Sequence, residues 1–194
     1  MTHRSTTSAA EETAFRLRAA TAGDVPALGA LIERSAAGLS VGFYTAAQVA
    51  SATRHVFGVD TQLIADGTYY AVERGSTLVA AGGWSIRRTL FGGDQLKQDG
   101  DIGDALLDPG TSPARIRAFF VDPSWARRGL GRLLYTECER AARAAGFRAF
   151  ELVATLPGEP LYAALGFTVT ERYALDLPEG VSLPVARMIR TIDR

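Results

Sequence analysis

The residues best suited to chemistry fall in one run, Phe119-Phe-Val-Asp-Pro-Ser-Trp-Ala-Arg-Arg-Gly-Leu-Gly-Arg132. Apolar β-formers from Ile116 to Val121 stop at Asp122-Pro123, and from Gly129 the apolar period becomes helical. The spacing predicts a strand, a turn and the start of a helix. The first turn of a helix leaves N–H groups without internal acceptors and carries partial positive charge, so it attracts phosphate oxygens. Gly129 and Gly131 lack the Cβ atoms that would hold a diphosphate off those amides. Arg127, Arg128 and Arg132 add charge and forked donors that match phosphate geometry.

Two common phosphate cradles are excluded. Lys97 is the only lysine of the sequence and stands outside any G-x-x-x-x-G-K-[ST] run, which removes a P-loop. The dinucleotide fingerprint needs a third small residue at the position of Leu134, and an earlier place in the chain. Plainer roles also fit: the glycines permit close helix–sheet packing, and the arginines suit a solvated surface.

Composition narrows the rest. A chain of 194 residues suits one domain, expected over 15–194. With 21 basic against 21 acidic residues there is no broad basic face for nucleic acid. Cys138 alone forms no internal disulfide or Cys-rich site, and with only His3 and His55 as histidines no metal centre is expected. No run approaches the roughly 18 apolar residues of a membrane span. Residues 1–14 are polar and lack the apolar core of a secretory signal; they are expected to be a disordered tail on a cytoplasmic protein.

The elements that must position the site follow from periodicity. Phe15–Ala19 alternates as a strand, and Thr21–Asp24 caps a helix carrying Leu28, Leu31 and Ile32. A second helix is predicted over Thr45–Val56, and a hairpin from Thr68–Glu73 and Leu78–Ile86. Thr89–Pro113 is Gly- and Asp-rich and reads as a long loop. After the strand at Ile116–Val121, Leu130, Leu133, Leu134, Cys138 and Ala141 form one helical stripe, stopped at Gly146. That stripe makes Cys138 a buried, inert thiol. Then come a strand at Phe150–Ala154, a short helix at Leu161–Leu165, and strands at Val169–Leu175 and Val185–Ile192. The order β-α-α-β-β-loop-β-α-β-α-β-β predicts an α/β (α+β) fold with one mixed central sheet flanked by helices.

Arg127-Arg128-Gly129-Leu130-Gly131 resembles the acetyl-CoA signature Q/R-x-x-G-x-G/A of the GNAT superfamily of N-acetyltransferases, with Ala126 at its first position. Leu161-Tyr-Ala-Ala-Leu-Gly-Phe167 is similar to that family's later L-Y-x-x-L-G-F segment, and Leu17–Asp24 to its first strand and helix cap. The resemblance implies a sheet that splays beside the Ile116–Val121 strand. It implies that backbone groups of Phe119 and Val121 hold the pantetheine arm of acetyl-CoA, and that the arginines, Gly129, Leu130 and Gly131 hold its diphosphate. Thr155 stands where many relatives carry asparagine, a residue type absent from this chain.

An acetyl transfer to an amine needs a neutral nucleophile, oxyanion stabilisation and a proton for the departing thiolate. The resemblance implies Tyr162 as the proton donor, its phenol staying protonated at neutral pH. Glu151, on the following strand, is the expected general base, with base-free use of a neutral amine as the alternative. The product is an acetylated primary amine, of a small molecule or of a protein, formed by direct transfer without metal. A different acyl-CoA donor and a non-catalytic CoA-binding module are the rival expectations. The loop's aspartates Asp94, Asp99, Asp101, Asp104 and Asp108, against Lys97, would favour a cationic amine if they line the acceptor mouth. Open strand edges suit a homodimer.

Overall fold

The computed structural model describes residues 14–96 and 105–192. The expected tail therefore lies outside the described residues except for Ala14, as do Lys97, Asp99, Asp101 and Asp104 of the long loop. Seven strands form one sheet: β1 Phe15–Ala19, β2 Tyr69–Arg74, β3 Thr77–Ser85, β4 Ala114–Val121, β5 Ala149–Thr155, β6 Thr168–Leu177 and β7 Val181–Thr191, in the order β1-β2-β3-β4-β5-β7-β6. All neighbours are antiparallel except β4 and β5. Helices α1 Val25–Leu39, α2 Ala46–His55, α3 Thr61–Ala65, α4 Leu130–Ala144 and α5 Glu159–Ala164 flank it. The mixed α/β expectation holds, with the five-residue α3 added to the predicted order.

Local sequence explains the boundaries. Thr45 Oγ1 accepts from Gln48 N (3.2 Å) and Gln48 Oε1 accepts from Thr45 N (2.9 Å), a reciprocal cap that starts α2. Gly146, at φ +93°, takes the left-handed step that ends α4. Strand alternation sorts side chains to two layers: Tyr70 and Val72 pack toward α4 and α5, Tyr69 and Ala71 toward α1. Leu133 departs from expectation. Gly131, Tyr135 and Ala142 turn the buried stripe of α4 away from it, leaving Leu133 37 % exposed while Leu134 and Cys138 are sealed.

Two irregularities make room in the sheet. Strands β4 and β5 are in register only at Ala114↔Phe150 and Arg115↔Glu151, then diverge. Opposite Gly82, β4 bulges, with Ala118 at φ +55°. The bulge turns successive side chains of β4 to both sides of the gap: Phe119 and Val121 toward α4, Ala118 and Phe120 toward α1.

Candidate functional site

The gap between β4 and β5 opens into a cavity of about 660 Å³ that passes from one face of the sheet to the other. On the α4 side its wall is the bend after β4. Asp122 Oδ1 accepts from Ser124 N (3.0 Å) and its Oδ2 from Arg34 Nε (2.9 Å), which fixes a 3₁₀ turn at Pro123–Trp125. Arg127 and Gly129 both take left-handed backbone, at φ +63° and +82°. No backbone N–H from Arg127 to Arg132 has an acceptor among the described residues. Those donors lie at the head of a fifteen-residue helix, the arrangement that attracts an anion.

The two glycines do different work. A Cβ on Gly129 would meet nothing within 4 Å, so that residue leaves the bend bare on its open side. A Cβ on Gly131 would lie 2.6 Å from Leu161 Cδ2, so that glycine lets α4 approach α5. Leu130 is buried in the core and also reaches the wall. Arg127 and Arg132 line the cavity, Ala126 adding only its small side chain. Arg128 does not line it. Its guanidinium sits 4.7 Å from the Trp125 ring centroid, and Arg74 lies 4.8 Å from the same ring. Arg128, expected at the diphosphate, is instead placed outside the wall by its stacking on the indole.

Phe119, Val121, Thr155 and Tyr162 all line the cavity. The Val121 N–H, one of the backbone groups that the resemblance implies for the pantetheine arm, donates to Ser35 Oγ of α1 at 3.2 Å. Tyr162 is 8 % exposed, its ring edge-on to Phe119 (6.1 Å) and to Phe167 (5.7 Å). Burial pushes its phenol up, so its proton stays in place at neutral pH. Its hydroxyl has no hydrogen-bond partner among the described residues.

Glu151, the expected base, stands apart from the cavity. It lies beside Arg115 and Arg187, pairs with both guanidinium groups, and does not line the cavity. Its acceptor oxygens are committed to holding three strands together. Nor do Asp94 and Asp108 face the cavity. Asp94 caps Thr61 N (3.1 Å) at the start of α3, and Asp108 accepts from Gly110 N (2.9 Å) in a turn. Cys138 is sealed in the core, where burial pushes its thiol up, so it offers no nucleophile.

On the α1–α2 side the walls include residues that sequence reasoning passed over. Phe43, Phe57 and Phe91 come from three separate connections, and only the folded chain brings them together. Arg117 is 5 % exposed and meets Asp60 Oδ2 at 2.8 Å; it also donates to the Gly92 carbonyl. Its signal was available, as an arginine inside an apolar strand run. Ser35 also had one, a serine within the buried stripe of Leu28, Leu31, Ile32 and Ala36.

The comparisons with known proteins agree with this geometry. The model of the acetyltransferase (GNAT) family matches residues 43–167, which span the bend and the Tyr162 segment. No curated protein matches the chain. Among solved structures, a GCN5-related N-acetyltransferase from Rhodopseudomonas palustris is 17% identical, with a TM-score of 0.65 over 91% of this chain and 95% of that one. The PaiA N-acetyltransferase from Thermoplasma acidophilum, solved with coenzyme A, is 13% identical, with a TM-score of 0.61 over 92% and 99%. YncA from Salmonella typhimurium, solved with its cofactor acetyl-CoA, is 17% identical, with a TM-score of 0.58 over 94% and 96%. At these identities the structures speak for the fold, and the family match carries the rest: a transferase built on a splayed sheet, the chain belongs to the acetyltransferase (GNAT) family.

Proposed function

We propose that the protein is an N-acetyltransferase that moves the acetyl group of acetyl-CoA to a primary amine by direct transfer, with both substrates bound in the cavity. One observation carries this: the uncapped amides of Arg127 and of Gly129–Arg132 belong to residues that line the same cavity as Tyr162. The bend suits the diphosphate of coenzyme A. It offers bare backbone donors at Gly129, forked charge at Arg127 and Arg132, and no carboxylate among the described lining residues. When bound, acetyl-CoA supplies an acyl carbon made electrophilic by its thioester.

Tyr162 supplies the proton that leaves with sulfur. A raised phenol is a weaker acid than a thiol of ordinary pKa about 8.5, so donation to a free thiolate would run uphill. The exchange closes when the amine nitrogen, bonded to the acyl carbon, sheds its surplus proton to the phenolate as the C–S bond breaks. One N–C bond forms, one C–S bond breaks, one proton passes from nitrogen to sulfur by way of Tyr162, and the enzyme ends unchanged.

The test is thermal shift with acetyl-CoA followed by thiol release with a panel of amines. Stabilisation by acetyl-CoA and amine-dependent thiol release are expected. Stabilisation with no release for any amine would reduce the protein to a coenzyme-binding module.

A further inference from the structure

The α1–α2 side of the cavity carries a cluster of aromatic side chains. Phe43, Phe57, Phe91 and Phe120 present rings to it, and Leu175 and Leu183 close it along β6 and β7. Phe57 and Phe120 meet edge to face at 6.1 Å. Leu183 is sealed, but the four rings are only partly covered, Phe43 being 48 % exposed. Aromatic surface left open in a concave site favours a flat apolar body that takes it out of water.

Charge on that side points the same way. Among the described residues no aspartate, glutamate or histidine lines the cavity. Arg117 does line it, and its charge is already met by Asp60 and by the Gly92 carbonyl. Among the described residues an ammonium group would be stripped of water there without gaining a counter-charge, whereas an uncharged amine carries no charge to strip. A free-base amine also arrives with its lone pair available, so no enzyme carboxylate has to remove a proton before attack.

We propose that the acceptor is a primary amine carried on an aryl or arylalkyl body and taken up as the free base. This rests on the acetyl-transfer reading above, and it differs from the cationic acceptor expected from the loop's aspartates.

The experiment measures CoA thiol release by the full-length protein with acetyl-CoA and phenethylamine, tryptamine, putrescine or spermidine. It then uses phenethylamines with fluorinated side chains, whose amine pKa values descend in steps. The arylalkyl amines are expected to exceed the polyamines in kcat/KM by about 100-fold. The pH at which kcat/KM levels off is expected to follow each amine's own pKa. Equal or better use of polyamines overturns the proposal, and so does a levelling pH common to every amine, which would reveal a base on the enzyme. Phe91→Asp is expected to lower kcat/KM for phenethylamine about tenfold and to raise it for spermidine. An unmoved ratio in that variant, once shown to be folded, overturns the placement of the wall, and the wild-type panel decides by itself if the variant does not fold. Failure of acetyl-transfer itself reads differently: no thiol release with any amine.

Discussion

Asp60, fully buried, meets Arg117 at 2.8 Å and so joins the segment before α3 to the bulged strand β4. The same guanidinium donates to the Gly92 carbonyl, and Asp94 caps Thr61. This small polar network pins the Leu90–Gly93 wall to the strand that carries Phe119. Removing one partner of a buried pair strands the other charge. Asp60→Ala is expected to cost about 3–5 kcal/mol in urea unfolding. Asp60→Leu combined with Arg117→Met is expected to recover most of that loss, and a double-mutant cycle measures the coupling.

Tyr162→Phe keeps the ring contacts with Phe119 and Phe167 and removes a hydroxyl that makes no protein hydrogen bond among the described residues. Its kcat is expected to fall about 100-fold or more, the scale of a lost proton donor. Acetyl-CoA affinity and Tm are expected to stay near wild type, as titration calorimetry and thermal melts would register. An unaltered kcat would remove Tyr162 from the mechanism.

The two glycines of the bend separate binding from folding. Gly129→Glu places a carboxylate in the open space where the amides face out, and loss of measurable coenzyme binding is expected. Gly131→Ala puts its methyl 2.6 Å from Leu161 and is expected to cost about 1–3 kcal/mol of stability through overpacking of α4 on α5. Calorimetric titration of one and denaturant melts of the other distinguish the two roles.

The three arginines of the bend, Arg127, Arg128 and Arg132, are expected to behave unequally. Arg132→Ala, and likewise Arg127→Ala, removes a charge that lines the cavity, and is expected to weaken coenzyme binding about tenfold. Arg128→Ala loses a stacking contact on Trp125 and is expected to cost about 0.5–1 kcal/mol of stability, with little change in coenzyme affinity.

Acid sensitivity is expected from the edge of the sheet. Arg18 hydrogen-bonds Asp24 (2.7 Å) and Glu73 (2.6 Å) at once, and these bonds are the main reason that both carboxyls lie below their ordinary range. Lowered carboxyls stabilise the fold above their unfolded values, near pH 4, and that stabilisation disappears as pH falls through the folded ones. Arg18→Met is therefore expected to lose about 1 kcal/mol near neutral pH, solvent screening limiting the effect. The gap from wild type is expected to close between about pH 4 and pH 2 in pH-dependent unfolding.

Much of this was legible in the sequence, for physical reasons that also mark where it stopped. The bend could be read because glycine, arginine and a change of apolar period are local signals. Helix α3 could not, since five residues hold too little of the 3.6-residue period to show. The ion pairs of Glu151 were not legible because its partners come from neighbouring strands. Arg115 stands opposite it across β4, and Arg187 reaches it from β7, pairings set by register rather than by nearby sequence. Leu133 was misplaced by one helical flank, since Gly131 and Tyr135, not Leu133, complete the stripe of α4. The aromatic wall was invisible for the same reason as the Glu151 pairings: Phe43, Phe57 and Phe91 stand apart along the chain.

The missing ladder between β4 and β5 has a mechanical consequence. Past Arg115 and Glu151 the two halves of the sheet are joined across the seam by side chains rather than by a backbone ladder. A pantetheine chain laid along that seam would act as a temporary eighth strand and lock the halves at a fixed opening. The aromatic chamber draws Phe91 and Phe120 from one side of the seam and Leu175 and Leu183 from the other, so a seated donor would help to set its width. Loading is therefore expected to be ordered, thioester before amine, simply because two strands part company early.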